Sequence, residues 1–168
     1  MAINRGKQFE DIVKAAFIAV KDVSIDRIHD QTTGFAGSKN ICDFIVYKEP
    51  YEYYIECKSV HGNTLPFSNI TDTQWQGLLS KADIKGVFAG ILCWWVDKDV
   101  TKFIDIETLE CMRLAGVKSI RYDYTQEQFN QDRSIVDGLI VEIEGKKKRV
   151  FFEYNMESFF KEVNKNEY

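Results

Sequence analysis

Asp43, Glu56 and Lys58 are the residues of this chain whose types and spacing can do chemistry. Glu56 follows Asp43 by thirteen positions, and Lys58 follows Glu56 by two. The segments that carry them, Ile41-Cys42-Asp43-Phe44-Ile45-Val46-Tyr47 and Tyr53-Tyr54-Ile55-Glu56-Cys57-Lys58, are rich in β-branched and aromatic residues. Lys48-Glu49-Pro50-Tyr51 lies between them, and the pattern predicts a β-hairpin. Side chains alternate along a strand, so Glu56 and Lys58 share one face and Cys57 takes the other. Pairing Tyr47 with Glu52 sets Asp43 opposite Glu56, and a shift of two residues sets it opposite Lys58. Either register keeps all three on one face. Like charges directly opposite cost a hairpin about 0.2–1 kcal/mol. Two carboxylates and an ammonium on apolar strands therefore ask for a bound cation.

Two further residues bear on this cluster. Glu10 shares a helix face with Val13 and Phe17, which leans it toward the core, where a carboxylate needs a partner. The competing reading makes Glu10 an edge residue paired with Lys7 or Lys14. Gln74 opens a helix as Thr71-x-x-Gln74, a capping box in which its side chain bonds back to the Thr71 amide. It can be a cap, a site residue, or both. Other chemistries are thin. His29 and His61 lack a nucleophile-like context. Gly34-Phe35-Ala36-Gly37 leads into a strand, not the helix that a phosphate-binding loop needs. Paired carboxylates suit a glycosidase, yet Lys58 has no role there.

The remaining elements must position these groups. Asn4 to about Val20 is expected as a helix on the stripe Phe9, Val13, Ala16, Phe17, Val20, with Asn4 as its cap. Val23–Ile28 is a short strand, and Asp30–Asn40 is a polar, glycine-bearing loop. Thr71–Ala82 is a second helix with Trp75, Leu78, Leu79 and Ala82 inward. Gly86–Val96 reads as a strand buried on both faces, which makes the Trp94-Trp95 pair core. Lys102–Ile106 is a strand, Glu107–Ala115 a helix stopped by Gly116, and Lys118–Tyr122 a strand. Leu139–Glu144 and Arg149–Tyr154 are expected to form a second hairpin joined by the Lys146-Lys147-Lys148-Arg149 block. Met156–Asn164 is a closing helix. The order α-β-β-β-α-β with a β/α extension predicts an α/β fold with a mixed sheet between helices.

At 168 residues the chain is expected to be one domain, with a core over about 4–106 and an extension over about 107–168. Its 45% apolar and 29% charged residues argue against disorder. No apolar run approaches the roughly 20 residues of a membrane helix. Met-Ala-Ile-Asn-Arg-Gly-Lys opens into a helix, not a signal peptide. Cys42, Cys57, Cys93 and Cys111 are widely spaced, so zinc is disfavoured and reduced thiols in a cytoplasm are expected. A formal charge of −4 weighs against nucleic acid as a partner. Its distribution matters more, because Arg5, Lys7, Lys14 and Lys21 gather on the first helix and Lys146–Arg149 form a basic block.

Asn4-Arg5-Gly6-Lys7-x-x-Glu10, Gly37-Ser38 with Asp43, and Ile55-Glu56-Cys57-Lys58-Ser59 together resemble the PD-(D/E)xK nuclease superfamily. Within it the chain is most similar to the Holliday junction resolvases. Arg-Gly-x-x-x-Glu and Glu-Cys-Lys-Ser resemble the archaeal enzymes. Leu65-Pro66-Phe67-Ser68-Asn69-Ile70 with Gln74 resembles the RecU type of Gram-positive bacteria and their phages. The likeness spans roughly residues 4–106. It implies a restriction-endonuclease-like fold, a homodimer, Mg²⁺ or Mn²⁺ without an organic cofactor, and hydrolysis of DNA at four-way junctions in a bacterial or phage-infected cytoplasm. By position it makes Asp43, Glu56 and the Cys57 carbonyl metal ligands. Lys58 orients water and stabilises charge on the phosphate, and Glu10 holds a second metal or its water shell. Gln74 stands beside them, and Arg5, Lys7, Ser38 and Lys39 are placed to meet DNA. Two departures stand out. Cys42 replaces the proline common before the Asp, and the short loop between Ile28 and Asp43 lacks the RecU stalk.

Overall fold

The computed structural model describes residues 5–28, 40–132, 138–148 and 152–165. A six-stranded mixed sheet in the order β1-β2-β3-β5-β6-β8 separates two apolar layers. Its strands are β1 (Ser24–Arg27), β2 (Phe44–Lys48), β3 (Tyr51–Val60), β5 (Val87–Trp95), β6 (Val100–Asp105) and β8 (Ile140–Glu142). All neighbours are antiparallel except β3 and β5. Between those two parallel strands the chain passes through β4 (Thr64–Pro66), a 3-10 turn and α2 (Asp72–Ala82). The expected mixed sheet flanked by helices, with a C-terminal β/α extension, is what forms.

Alternation along β3 decides the layers. Tyr53, Ile55 and Cys57 join one cluster and Tyr54 joins the other, so Glu56 and Lys58 face the α2 side. The first layer is built by α1 (Arg5–Ile18) and α5 (Met156–Asn164). Phe9, Val13 and Phe17, spaced by four, are fully buried. Phe159 meets Phe17 and Phe103 edge-on, and the Tyr53 hydroxyl donates to Asn164 Oδ1 at 2.5 Å. Each such side chain contributes about 1.5–3 kcal/mol by leaving water. The second layer holds α2, with Trp75 and Leu78 inward, and α3 (Ile106–Leu114). Gly77 of α2 lies against Ile41, where an added Cβ would stand 2.3 Å from a side-chain methyl. A helix glycine costs roughly 1 kcal/mol against alanine, but here it lets α2 settle beside the segment that carries Asp43.

One expectation is corrected. Leu139–Glu144 and Arg149–Tyr154 do not form a hairpin around the lysine block. Ile140–Glu142 instead pairs with β6 as the last strand of the main sheet. Gly145–Lys147 is itself a strand, β9, paired with β10 (Phe152–Tyr154). The reason is the open edge of β6, whose backbone groups need partners. Ile140 and Val141 are apolar toward opposite layers, which suits a sheet with both faces covered. Helix α4 (Gln126–Asp132) was not anticipated. Its Gln126 amide donates to the Gly138 carbonyl and accepts from the Ile140 N–H, acting as a short strand on the outer edge of β8. The short ribbon of β4 with β7 (Ser119–Arg121) covers part of the second layer. Among the described residues no helix is long and apolar enough to cross a membrane.

Candidate active site

The hairpin adopts the first of the two expected registers. Tyr47 pairs with Glu52 and Phe44 with Ile55, which carries Asp43 to the position opposite Glu56. Asp43 enters β2 pinned from both sides: its N–H donates to the Ile55 carbonyl at 3.1 Å and its carbonyl accepts from Ile28 N–H at 2.8 Å. Its Oδ2 accepts from the Cys57 N–H at 2.7 Å. Glu56 is buried, and its Oε1 accepts from Lys58 Nζ at 2.8 Å and from Gln74 Nε2 at 2.6 Å. The carboxyl groups of Asp43 and Glu56 stand at opposed positions of the hairpin and act on each other electrostatically.

These contacts set the electrostatics. Burial, then the neighbouring Asp43 charge, pushes Glu56 up to about 7 against the pull of Lys58. Burial also raises Asp43, offset by the Cys57 amide, Lys58 and Arg27. Two opposed carboxyl groups, Glu56 buried and Asp43 half-buried, offer the hard oxygen donors that Mg²⁺ and Mn²⁺ take. The donor chemistry therefore fits a divalent ion. The carboxylates number two here, and among the described residues no group of three or more His, Cys, Asp or Glu side chains is arranged to hold a metal.

Gln74 does both things open to it. Its side chain accepts from the Thr71 N–H at 3.0 Å while Thr71 Oγ1 accepts from the Gln74 N–H at 3.3 Å, completing the capping box. The same Oε1 accepts from Lys58 Nζ at 3.3 Å. With its oxygen turned to two donors, its NH₂ must face Glu56. One amide thus ties the start of α2 to the acid and the ammonium of the site.

Glu10 forms an ion pair with Arg27 of β1. Arg27 also approaches Asp11 Oδ1 at 3.5 Å. Arg27 is the residue that sequence reasoning missed. It lies across from Phe44, one step from Asp43, and only the β1–β2 register brings it there. Arg5 donates to Gln8 Oε1 at 2.9 Å, and Lys7 lies exposed on the same first turns of α1. Ser38 and Lys39 lie outside the described residues. In the basic block Lys147 pairs with Asp99 and Lys148 with Glu153.

Of the rival readings, His29 and Gly34-Phe35-Ala36-Gly37 lie outside the described residues. His61 is exposed and bonded to Asp97 at 2.9 Å. The four cysteines are unpaired; burial pushes Cys42 up to about 12 and Cys57 and Cys93 well above their usual range, which keeps these three thiols unreactive at neutral pH. Trp94 and Trp95 are core, as expected.

No family model matches the chain, and no curated protein matches it. Among solved structures it is similar to the 1.6 Å structure of Hjc from Archaeoglobus fulgidus, a Holliday junction resolvase from an archaeal hyperthermophile. The two are 16% identical over 62% of this chain and 75% of that chain, with a TM-score of 0.46.

Proposed function

We propose that this protein is a DNA endonuclease that uses Mg²⁺ or Mn²⁺ to hydrolyse phosphodiesters at four-way junctions, as a homodimer in a bacterial or phage-infected cytoplasm. The observation that carries the reading is the opposed Asp43–Glu56 pair, with Glu56 buried and Lys58 and Gln74 in contact with it. Asp43, Glu56 and the Cys57 carbonyl would hold the ion, and Glu10 would stand in its water shell. A bound divalent ion supplies Lewis acidity and a more acidic water. Lys58 brings an ammonium to the phosphate, where charge grows in the transition state. Gln74 keeps Lys58 and Glu56 in fixed orientation, which limits the motion that would otherwise cost rate. Arg5, Lys7, Ser38 and Lys39 are the positions assigned to DNA, and two copies would double them across a symmetric junction.

The choice of a junction over other DNA rests on the motifs shared with resolvases. A labelled four-way junction, a flap, single strands and linear duplex, each with and without Mg²⁺, test it. Cleavage should need the metal and favour the junction at physiological salt. Metal-dependent cleavage without that preference leaves a nuclease of flaps, ends or duplex. Binding without cleavage in any condition leaves a DNA-binding module and removes the enzyme.

A further inference from the structure

We propose that an open groove beside α2, with Arg113 fixed at its middle, seats the sugar–phosphate backbone of the DNA arm that leaves the Asp43–Glu56 centre. The inference rests on the reading of the protein as a DNA nuclease and names the path its substrate takes beyond the cut. Two clefts form the groove. One begins at Thr71 and Thr73, at the start of α2, and the other ends at Thr64, Lys118 and Ser119, on the β4–β7 side. Phe67, Ser68 and Arg113 line both, so each runs into the other. Volumes of about 670 and 480 Å³ fall in the range of small-molecule pockets, but open clefts joined end to end suit an extended chain. The groove lies on the side of the sheet that carries Glu56 and Lys58, because Phe67 and Trp75 of its lining belong to the apolar layer under α2. Its near end is tied to the centre by bonds. Thr71 shares a capping box with Gln74, and Gln74 meets Glu56 at 2.6 Å and Lys58 at 3.3 Å.

Arg113 is braced before any ligand arrives. Its Nε and Nη2 donate to Glu110 at 2.9 and 3.0 Å, and its guanidinium lies 4.6 Å from the centre of the Trp75 ring. Glu110 in turn accepts from Trp75 Nε1 at 2.6 Å. Three side chains from α2 and α3 thus hold one another, and Arg113 Nη1 has no bond among the described residues. A guanidinium fixed in this way meets a phosphate oxygen with little loss of side-chain freedom. Lys118 has no acid partner among the described residues, and Thr64, Ser68, Thr73 and Ser119 add hydroxyls along the path. Arg, Lys, Ser and Thr are the side chains that take DNA phosphates. The charge balance is close to even, with Arg113 and Lys118 set against Asp72 in the lining and Glu110 behind Arg113. The groove therefore orients an arm through fixed donors and leaves bulk attraction to cations elsewhere.

Binding of a labelled four-way junction without metal, over a salt series and with hydroxyl-radical footprinting of the arms, tests this apart from cleavage. Lys118→Gln should lower the slope of log affinity against log salt by about one unit. Ser68→Glu puts a charge in the middle of the groove and should weaken binding by a factor on the order of ten. It should also erase protection along one arm while protection at the centre persists. Lys161→Gln removes the same charge from an exposed position of α5, in the opposite layer, and should change neither affinity nor footprint. Lys118→Gln and Ser68→Glu chains that behave like Lys161→Gln overturn the inference and leave the nuclease reading standing. A parent that binds no junction at low salt removes the DNA reading and the inference with it. Arg113→Gln should deepen the loss of arm protection. Should it unfold through Trp75, the substitutions at exposed Ser68 and Lys118 still decide.

Discussion

Glu56 and Asp105 are two buried carboxyl groups, each pushed up to about 7 by burial, and they keep opposite company. Asp105 closes on itself. It caps α3 by accepting from the Thr108 N–H at 2.7 Å, and Thr108 Oγ1 accepts from Leu139 N–H at 2.8 Å, so the corner of β6, α3 and β8 is sewn by its own donors. Glu56 instead faces a second carboxyl, an ammonium and an amide drawn from three different places in the chain. The two lysines of that sheet face repeat the contrast. Lys58 and Lys102 both lie beside Cys93, on opposite sides of it. Lys102 is latched to the Tyr124 carbonyl at 2.9 Å and sits 3.6 Å from Glu142, while burial lowers its pKa. Lys58 holds only the acid and amide of the site in the bonds described. A shifted pKa therefore marks burial in both corners; the opposed second carboxyl is what sets Glu56 apart.

The largest effect that separates the two corners is on cleavage. Asp43→Asn or Glu56→Gln should abolish it, and Lys58→Ala should lower it by a factor on the order of 10² or more. Asp105→Ala should leave the single-turnover rate of the folded fraction close to the parent and cost about 1–2 kcal/mol in urea unfolding, as a lost cap does. Full activity in Asp43→Asn or Glu56→Gln would dissolve the distinction.

A middle-sized effect lies in pH. Both carboxyls bind a proton more tightly folded than unfolded, so the stability each lends is complete below the ordinary carboxylate range and is lost as pH rises through about 7. At about 1.4 kcal/mol per pKa unit this is a few kcal/mol each. Without metal, the Tm should fall between pH 5 and pH 8, and both Glu56→Gln and Asp105→Asn should flatten the fall. Mg²⁺ at pH 8 should restore the Tm of the parent and of Asp105→Asn but leave Glu56→Gln unmoved. Equal Mg²⁺ responses in the two variants would place the ion elsewhere.

The smallest effect separates Gln74 from its helix partner. Thr71→Ala and Gln74→Ala each break the capping box, for about 1 kcal/mol of stability. Only Gln74→Ala frees Lys58 and Glu56, so it should slow cleavage well beyond Thr71→Ala at matched stability. Equal rates would return Gln74 to a cap alone.

Local rules made much of this legible in the sequence. The α1 stripe of Phe9, Val13 and Phe17 follows from a backbone that repeats every 3.6 residues. The shared face of Asp43, Glu56 and Lys58 follows from a strand that repeats every two, and the Thr71–Gln74 box from a span of three. Such relations are set by chain geometry over a few bonds and need no knowledge of neighbours. What tertiary structure alone decided involves partners far apart in the chain. Gln74 reaches Glu56 because α2 packs close enough on the sheet, at Gly77, to bring its first turn over β3. Glu10 finds Arg27 because α1 lies across β1. Ile140–Glu142 leaves its lysine-rich neighbours because β6 presents an open edge. In each case the partner comes from a surface that only the folded chain brings against the group.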